Sequence, residues 1–123
     1  MKSGDRTTIP TVSEVVRTAV AICDPDGSET AATALQEGFE DDDRPATASE
    51  DLAGELLETV RAIDPEEDAP AATAAAATAA WLATNPDQAR AEDHVLREGV
   101  RLVFAGEPPG PLADWLAGRG VEV

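Results

Sequence analysis

Apolar residues recur along this chain at helical spacing, and segments with strand-like alternation are nearly absent. Val12, Val15, Val16, Ala19, Val20 and Cys23 follow the i, i+3, i+4, i+7 order that places side chains on one face of an α-helix. Pro10 and Thr11 suit its start, and Asp24-Pro25-Asp26-Gly27 is a stop. A second helix is expected from Ser28, an N-cap type, to about Glu40, with Ala31, Ala34, Leu35 and Phe39 on its apolar face. In a third, Thr47 and Glu50 form a capping-box pair ahead of the stripe Leu52, Leu56, Val60 and Ile63. Leu57 widens that stripe, and Asp64-Pro65 ends it.

A fourth helix should run from about Ala69 to Thr84, with Pro70 in its first turn. It is nearly all small residues until Trp81 and Leu82. Asn85-Pro86 opens a fifth, whose stripe Val95, Leu96, Val100, Val103 and Phe104 ends at Gly106. After Glu107-Pro108-Pro109-Gly110, a short sixth helix carries Leu112, Trp115 and Leu116 on one face and stops at Gly118 and Gly120. The acidic runs Glu40 to Asp43 and Glu66 to Asp68 read as solvated connectors.

Short connectors make successive helices antiparallel neighbours. The expected fold is all-α: a compact bundle of five or six antiparallel helices over 11–120, with a flexible segment 1–10 and a tail 121–123. At an offset of 40, Val20 falls on Val60 and Val60 on Val100, Asp24-Pro25 falls on Asp64-Pro65, and Ala31-Ala32-Thr33-Ala34 on Ala71-Ala72-Thr73-Ala74. This self-similarity corresponds to three tandem helical hairpins with a period near that of HEAT-type units. Alanine-rich helices also align with themselves at many offsets, and the compact bundle follows either way.

Charge changes the picture next. The 123 residues suffice for one domain, and they carry 25 acidic against 9 basic side chains, a net charge of −16, with Lys2 the only lysine. Like charge at this density destabilises a compact state in dilute buffer. Molar salt, with a Debye length of about 3 Å, removes most of that penalty. The composition therefore suits a high-salt cytoplasm; a GC-rich genome would favour Arg over Lys but does not account for the net charge. The start, Met1 to Thr8, is polar and lacks the apolar centre of a signal peptide. The longest apolar stretch, Ala69 to Ala83, is mostly alanine and too weakly hydrophobic to span a membrane. A cytoplasmic location is expected.

Candidate chemistry is sparse. One Cys and one His neither close a disulfide within the chain nor supply the four ligands of a structural zinc. Scattered cations form no basic patch for phosphates. Gly106 to Gly110 has no lysine, and its prolines lack the N–H donors a phosphate loop needs. Asp24, Asp26, Ser28 and Thr30 alternate oxygens as a calcium loop does, but Glu29 stands where that loop needs glycine and Leu35 where it needs a bidentate Glu. A capped connector between helices explains the same residues. The carboxylate runs should gather monovalent or divalent cations diffusely, with no fixed metal and no cofactor. His94, with Arg97, Glu98 and Arg101 at helical spacing, is expected on an exposed polar face. Cys23 is expected as a small buried hydrophobe.

Binding is what remains. The leading expectation is a non-enzymatic helical module that binds another protein or itself, with Trp115, Leu112, Leu116 and Trp81 as candidate interaction residues. Tryptophan is enriched at interface hot spots, although both tryptophans are also the natural bulk for a core of Ala, Val and Leu. A second reading is an acidic polyanion mimic that occupies the nucleic-acid-binding surface of a basic partner. A third is a small enzyme using paired carboxylates, which the scarcity of other catalytic side chains disfavours. Neither direct nucleic-acid binding nor a membrane role is expected.

Overall fold

A computed structural model describes residues 11–24, 26–27, 29–45, 51–66, 69–84, 92–105, 107–108 and 110–121. Six helices occupy these residues: α1 (Val12–Cys23), α2 (Thr30–Gly38), α3 (Leu52–Ile63), α4 (Pro70–Thr84), α5 (Glu92–Phe104) and α6 (Gly110–Gly118). They pack against one another into an all-α fold, and the described residues contain no strand beyond one isolated bridge, Thr11 to Pro45.

Local chemistry explains most of the boundaries. Thr11 and Glu14 form a reciprocal capping box at α1: the Thr11 hydroxyl oxygen accepts from the Glu14 N–H, and the Glu14 carboxylate accepts from the Thr11 N–H. At α3 the cap is Asp51, whose carboxylate accepts from the Gly54 N–H at 3.2 Å. The expected pair Thr47 and Glu50 lies outside the described residues, and α3 starts beyond it. α2 is shorter than its pattern predicts: it begins behind Glu29, which gives no side-chain cap, and ends at Gly38. Ser28 lies outside the described residues, as do the segment 1–10 and the Asn85-Pro86 start expected for α5.

The centre of the fold is α4. Its alanines 71, 72, 74–77, 79, 80 and 83 are all buried, as are Thr78 and Trp81. A helix that is apolar all round belongs inside a fold, and α1, α2, α3, α5 and α6 all pack on this one. Each neighbour contributes its own large buried side chains, Val12 and Val16 from α1, Leu35 from α2, Leu56 from α3, Leu96 and Val100 from α5, Leu112 and Leu116 from α6. Alanine on α4 and glycine on α5 let the backbones come close: a Cβ on Gly99 would lie 2.7 Å from the Ala77 carbonyl oxygen. As expected, Cys23 is buried, with its Sγ 3.9 Å from Thr78 Oγ1.

The 40-residue self-similarity has a structural counterpart at two turns. Asp24 (φ −142°, ψ 66°) and Asp64 (φ −134°, ψ 67°) end α1 and α3 in the same conformation. Each donates its N–H to the valine carbonyl one turn back, Val20 or Val60, at 2.7 Å. Each carboxylate then accepts the N–H five residues on, from Glu29 at 3.0 Å and from Ala69 at 2.8 Å. The repeat does not build a solenoid, in which each unit would touch only its neighbours. Instead α4 is enclosed, and α1 of the first pair also meets α5 of the third.

Val121, the first residue of the expected tail, is held on the end of α6. Gly120 is left-handed (φ 78°), its N–H reaches the Ala117 carbonyl at 3.0 Å, and the Val121 N–H reaches Leu116 at 2.9 Å. This is the Schellman pattern, in which the residue after the glycine packs back on the helix, and Val121 is buried. Residues 122–123 lie outside the described set.

Candidate functional site

The four predicted interaction residues do not form one surface. Leu112 and Leu116 are each 1% exposed, because the stripe they define is the one α6 turns toward α4. Trp81 is also buried, and its ring meets His94 edge to face at 5.9 Å with an 82° interplanar angle. His94 is therefore half-buried against an aromatic neighbour, where an exposed position was expected. Trp115 alone of the four is partly open to solvent, and the Arg119 guanidinium lies 4.8 Å from its ring centroid. That arginine also donates to the Ile22 and Cys23 carbonyls at 3.1 and 3.3 Å, tying the end of α6 to the end of α1.

The recessed surface lies instead on both sides of α3. A cleft of about 380 Å³ is lined by Leu57, Val60, Arg61 and Asp64 on the α3 side, by Thr73 of α4 and by Phe104 of α5. A shallower cleft of about 540 Å³ on the opposite flank is lined by Phe39, Glu55, Glu58, Thr59, Ala62 and Ile63. Glu58, Arg61 and Ala62 are exposed along the outer side of α3 between them.

Around these clefts the charges divide into committed and uncommitted groups. The Arg44 guanidinium grips Asp42 through two bonds, Nε to Oδ1 at 2.9 Å and the terminal nitrogen to Oδ2 at 2.6 Å. It also reaches Glu55 at 3.0 Å, so Glu55 is engaged. This grip holds the Asp42 carboxyl below its ordinary value and pushes the guanidinium further up. The Asp64 carboxylate is engaged by the Ala69 N–H. Arg61 forms no ion pair among the described residues.

No known protein family matches this chain, and no curated protein or solved structure is similar to it. The site must be judged on its own chemistry. Among the described residues, no group of three or more His, Cys, Asp or Glu side chains could hold a metal. The clefts offer apolar walls with charges at the rim, an arrangement suited to binding. Leu57 was visible in the sequence only as a residue too many for its stripe, and Phe104 only as the end of another. That surplus was the signal: an apolar position beyond what one face needs is available to a second surface.

Proposed function

We propose that this chain is a non-enzymatic helical module that binds another protein in a high-salt cytoplasm, with α3 and its two flanking clefts as the contact. The observation that carries this reading is the pair of clefts bordering one helix, with half-buried Leu57 and Phe104 lining the first and Ile63 the second. Pockets of this size lined by apolar side chains receive protruding partner side chains or small ligands. Trp115, half-open on α6, stands apart from these clefts and serves as a comparison site.

The test is affinity capture with the full chain at molar KCl, comparing wild type with Leu57→Glu, Ala62→Arg and Trp115→Ala, each checked for helicity. Ala62 is exposed, so its arginine variant should fold normally. Capture of a stoichiometric partner should fall at least about tenfold in both α3 variants, as expected when a central contact is lost. Reversing Asp41 and Asp43 to lysine should leave capture unchanged. Capture that ignores the α3 variants, yet collapses with salt and with the charge reversals, would replace this reading with the polyanion mimic.

A further inference from the structure

We propose that α6 is a strap that opens as one unit while α1 to α5 stay folded, and that Arg119 is the latch that holds it shut. The inference concerns a motion built into the fold and does not depend on which surface binds a partner.

α6 is the helix with the least to hold it. Each of α1, α2, α3 and α5 packs on at least two neighbours, whereas α6 rests chiefly on α4. Its nine residues are too few to stay helical in water without that support. The left-handed Ala105 and then Pro108 separate it from α5, so α6 need not carry α5 with it. Elements with few packed neighbours are the ones that open below the free energy of global unfolding.

The far end of α6 is fastened to a different helix. Arg119 donates to the Ile22 and Cys23 carbonyls at 3.1 and 3.3 Å, and its guanidinium lies 4.8 Å from the Trp115 ring centroid. Those carbonyls belong to the last turn of α1, where carbonyls lack partners within the helix and the dipole favours a cation. α1 has no basic residue of its own in that turn, and its C-cap is the acidic Asp24. The cation that suits the end of α1 therefore comes from the other end of the chain. Its acceptors are neutral carbonyls in a part-buried setting, so molar salt weakens this contact less than it weakens an exposed ion pair. Once Arg119 lets go, the buried Leu112, Leu116 and Val121 are what keep α6 seated. Opening uncovers them together with the α4 surface beneath, an apolar face that the closed protein hides.

The test is native-state amide exchange of the full ¹⁵N-labelled chain, in enough KCl to keep it folded and with urea added in steps. After correction for intrinsic rates, the amides of Asp114 to Gly118 and of Val121 should share one opening equilibrium. That opening should be at least about tenfold more populated than the one that exposes the α4 amides. It should also depend less steeply on urea, because less surface is uncovered. In Arg119→Ala, exchange across α6 should rise about tenfold, the scale of two lost hydrogen bonds. In Val60→Ala, which truncates a buried side chain of α3, α4 exchange should rise at least about tenfold. α6 exchange should then stay within about twofold of wild type, since α3 is still folded when α6 opens. Should Val60→Ala not fold, the urea series decides the strap without it. If the α6 amides follow α4 in urea or in Val60→Ala, the helix opens only with the whole molecule and the proposal is overturned. Unequal opening from one α6 amide to the next would be fraying and would overturn it as well. Unchanged α6 exchange in Arg119→Ala would remove the latch.

Discussion

Gly99 shows how much one missing Cβ does. In the middle of an exposed helix a glycine costs roughly 1 kcal/mol against alanine, so Gly99→Ala should by propensity alone stabilise α5. The new Cβ would, however, stand 2.7 Å from the Ala77 carbonyl oxygen and 2.9 Å from the Thr78 Cα, both backbone atoms of the enclosed helix. Overpacking of this kind costs about 1–3 kcal/mol and outweighs the propensity gain. The expected result is a net loss of about 1 kcal/mol, seen as a melting temperature lower by roughly 4 °C. An unchanged or higher melting temperature would show that α5 slides along α4 without cost. At the far end of the same helix, Ala105 takes the left-handed conformation (φ 53°) usually left to glycine. The sequence pointed to the following Gly106 as the terminator.

At the scale of elements, the cap residue Thr11 was legible in the sequence, whereas Asp51, equally local at the start of α3, was not. Thr11 and Glu14 lie three residues apart, yet the start of α1 draws equally on a distant segment. The Val12 N–H donates to the Arg44 carbonyl at 2.9 Å, and the Ser13 N–H to the Asp42 carbonyl at 3.0 Å. The Ser13 hydroxyl adds a bond to the Glu40 carbonyl. The acidic run therefore does more than solvate a connector, since its backbone satisfies donors of another helix. The Arg44–Asp42 pair holds that segment in shape. Its contribution is present while the carboxylate is charged and fades as pH falls through the depressed folded value, beneath the ordinary 3.8. Amide exchange at Val12 and Ser13 should accordingly quicken in acid relative to the core. Asp42→Asn should show the quickened rate at neutral pH and no further acid step. Identical acid profiles for the two proteins would separate the ion pair from the cap.

For the whole molecule, the opposing quantities are a core centred on alanine and a charge of −16. Each alanine buries little area, so stabilisation per residue is modest, while repulsion among exposed carboxylates acts on the compact state as a whole. Far-UV circular dichroism should record helix gained as KCl rises from millimolar to molar. Full helicity in dilute neutral buffer would show that the core tolerates the charge unaided and would remove the argument for a high-salt milieu. No helix among the described residues is long and apolar enough to cross a membrane.

The chain's own pattern determined that it is helical, where α1 and α4 run, and which residues share an apolar stripe on α1, α3, α5 and α6. These are properties of spacing within a dozen residues. Tertiary structure decided which helix occupies the middle, because that depends on what five other stripes do together. An alanine segment without a preferred face is equally consistent with a solvated connector helix or a fully enclosed one until its neighbours close over it. The same dependence buried Leu112, Leu116 and Trp81. It also left Leu57 and Phe104 lining a cleft at the surface. Periodicity tells which way a side chain points on its own helix; whether another helix covers it is settled only by long-range packing.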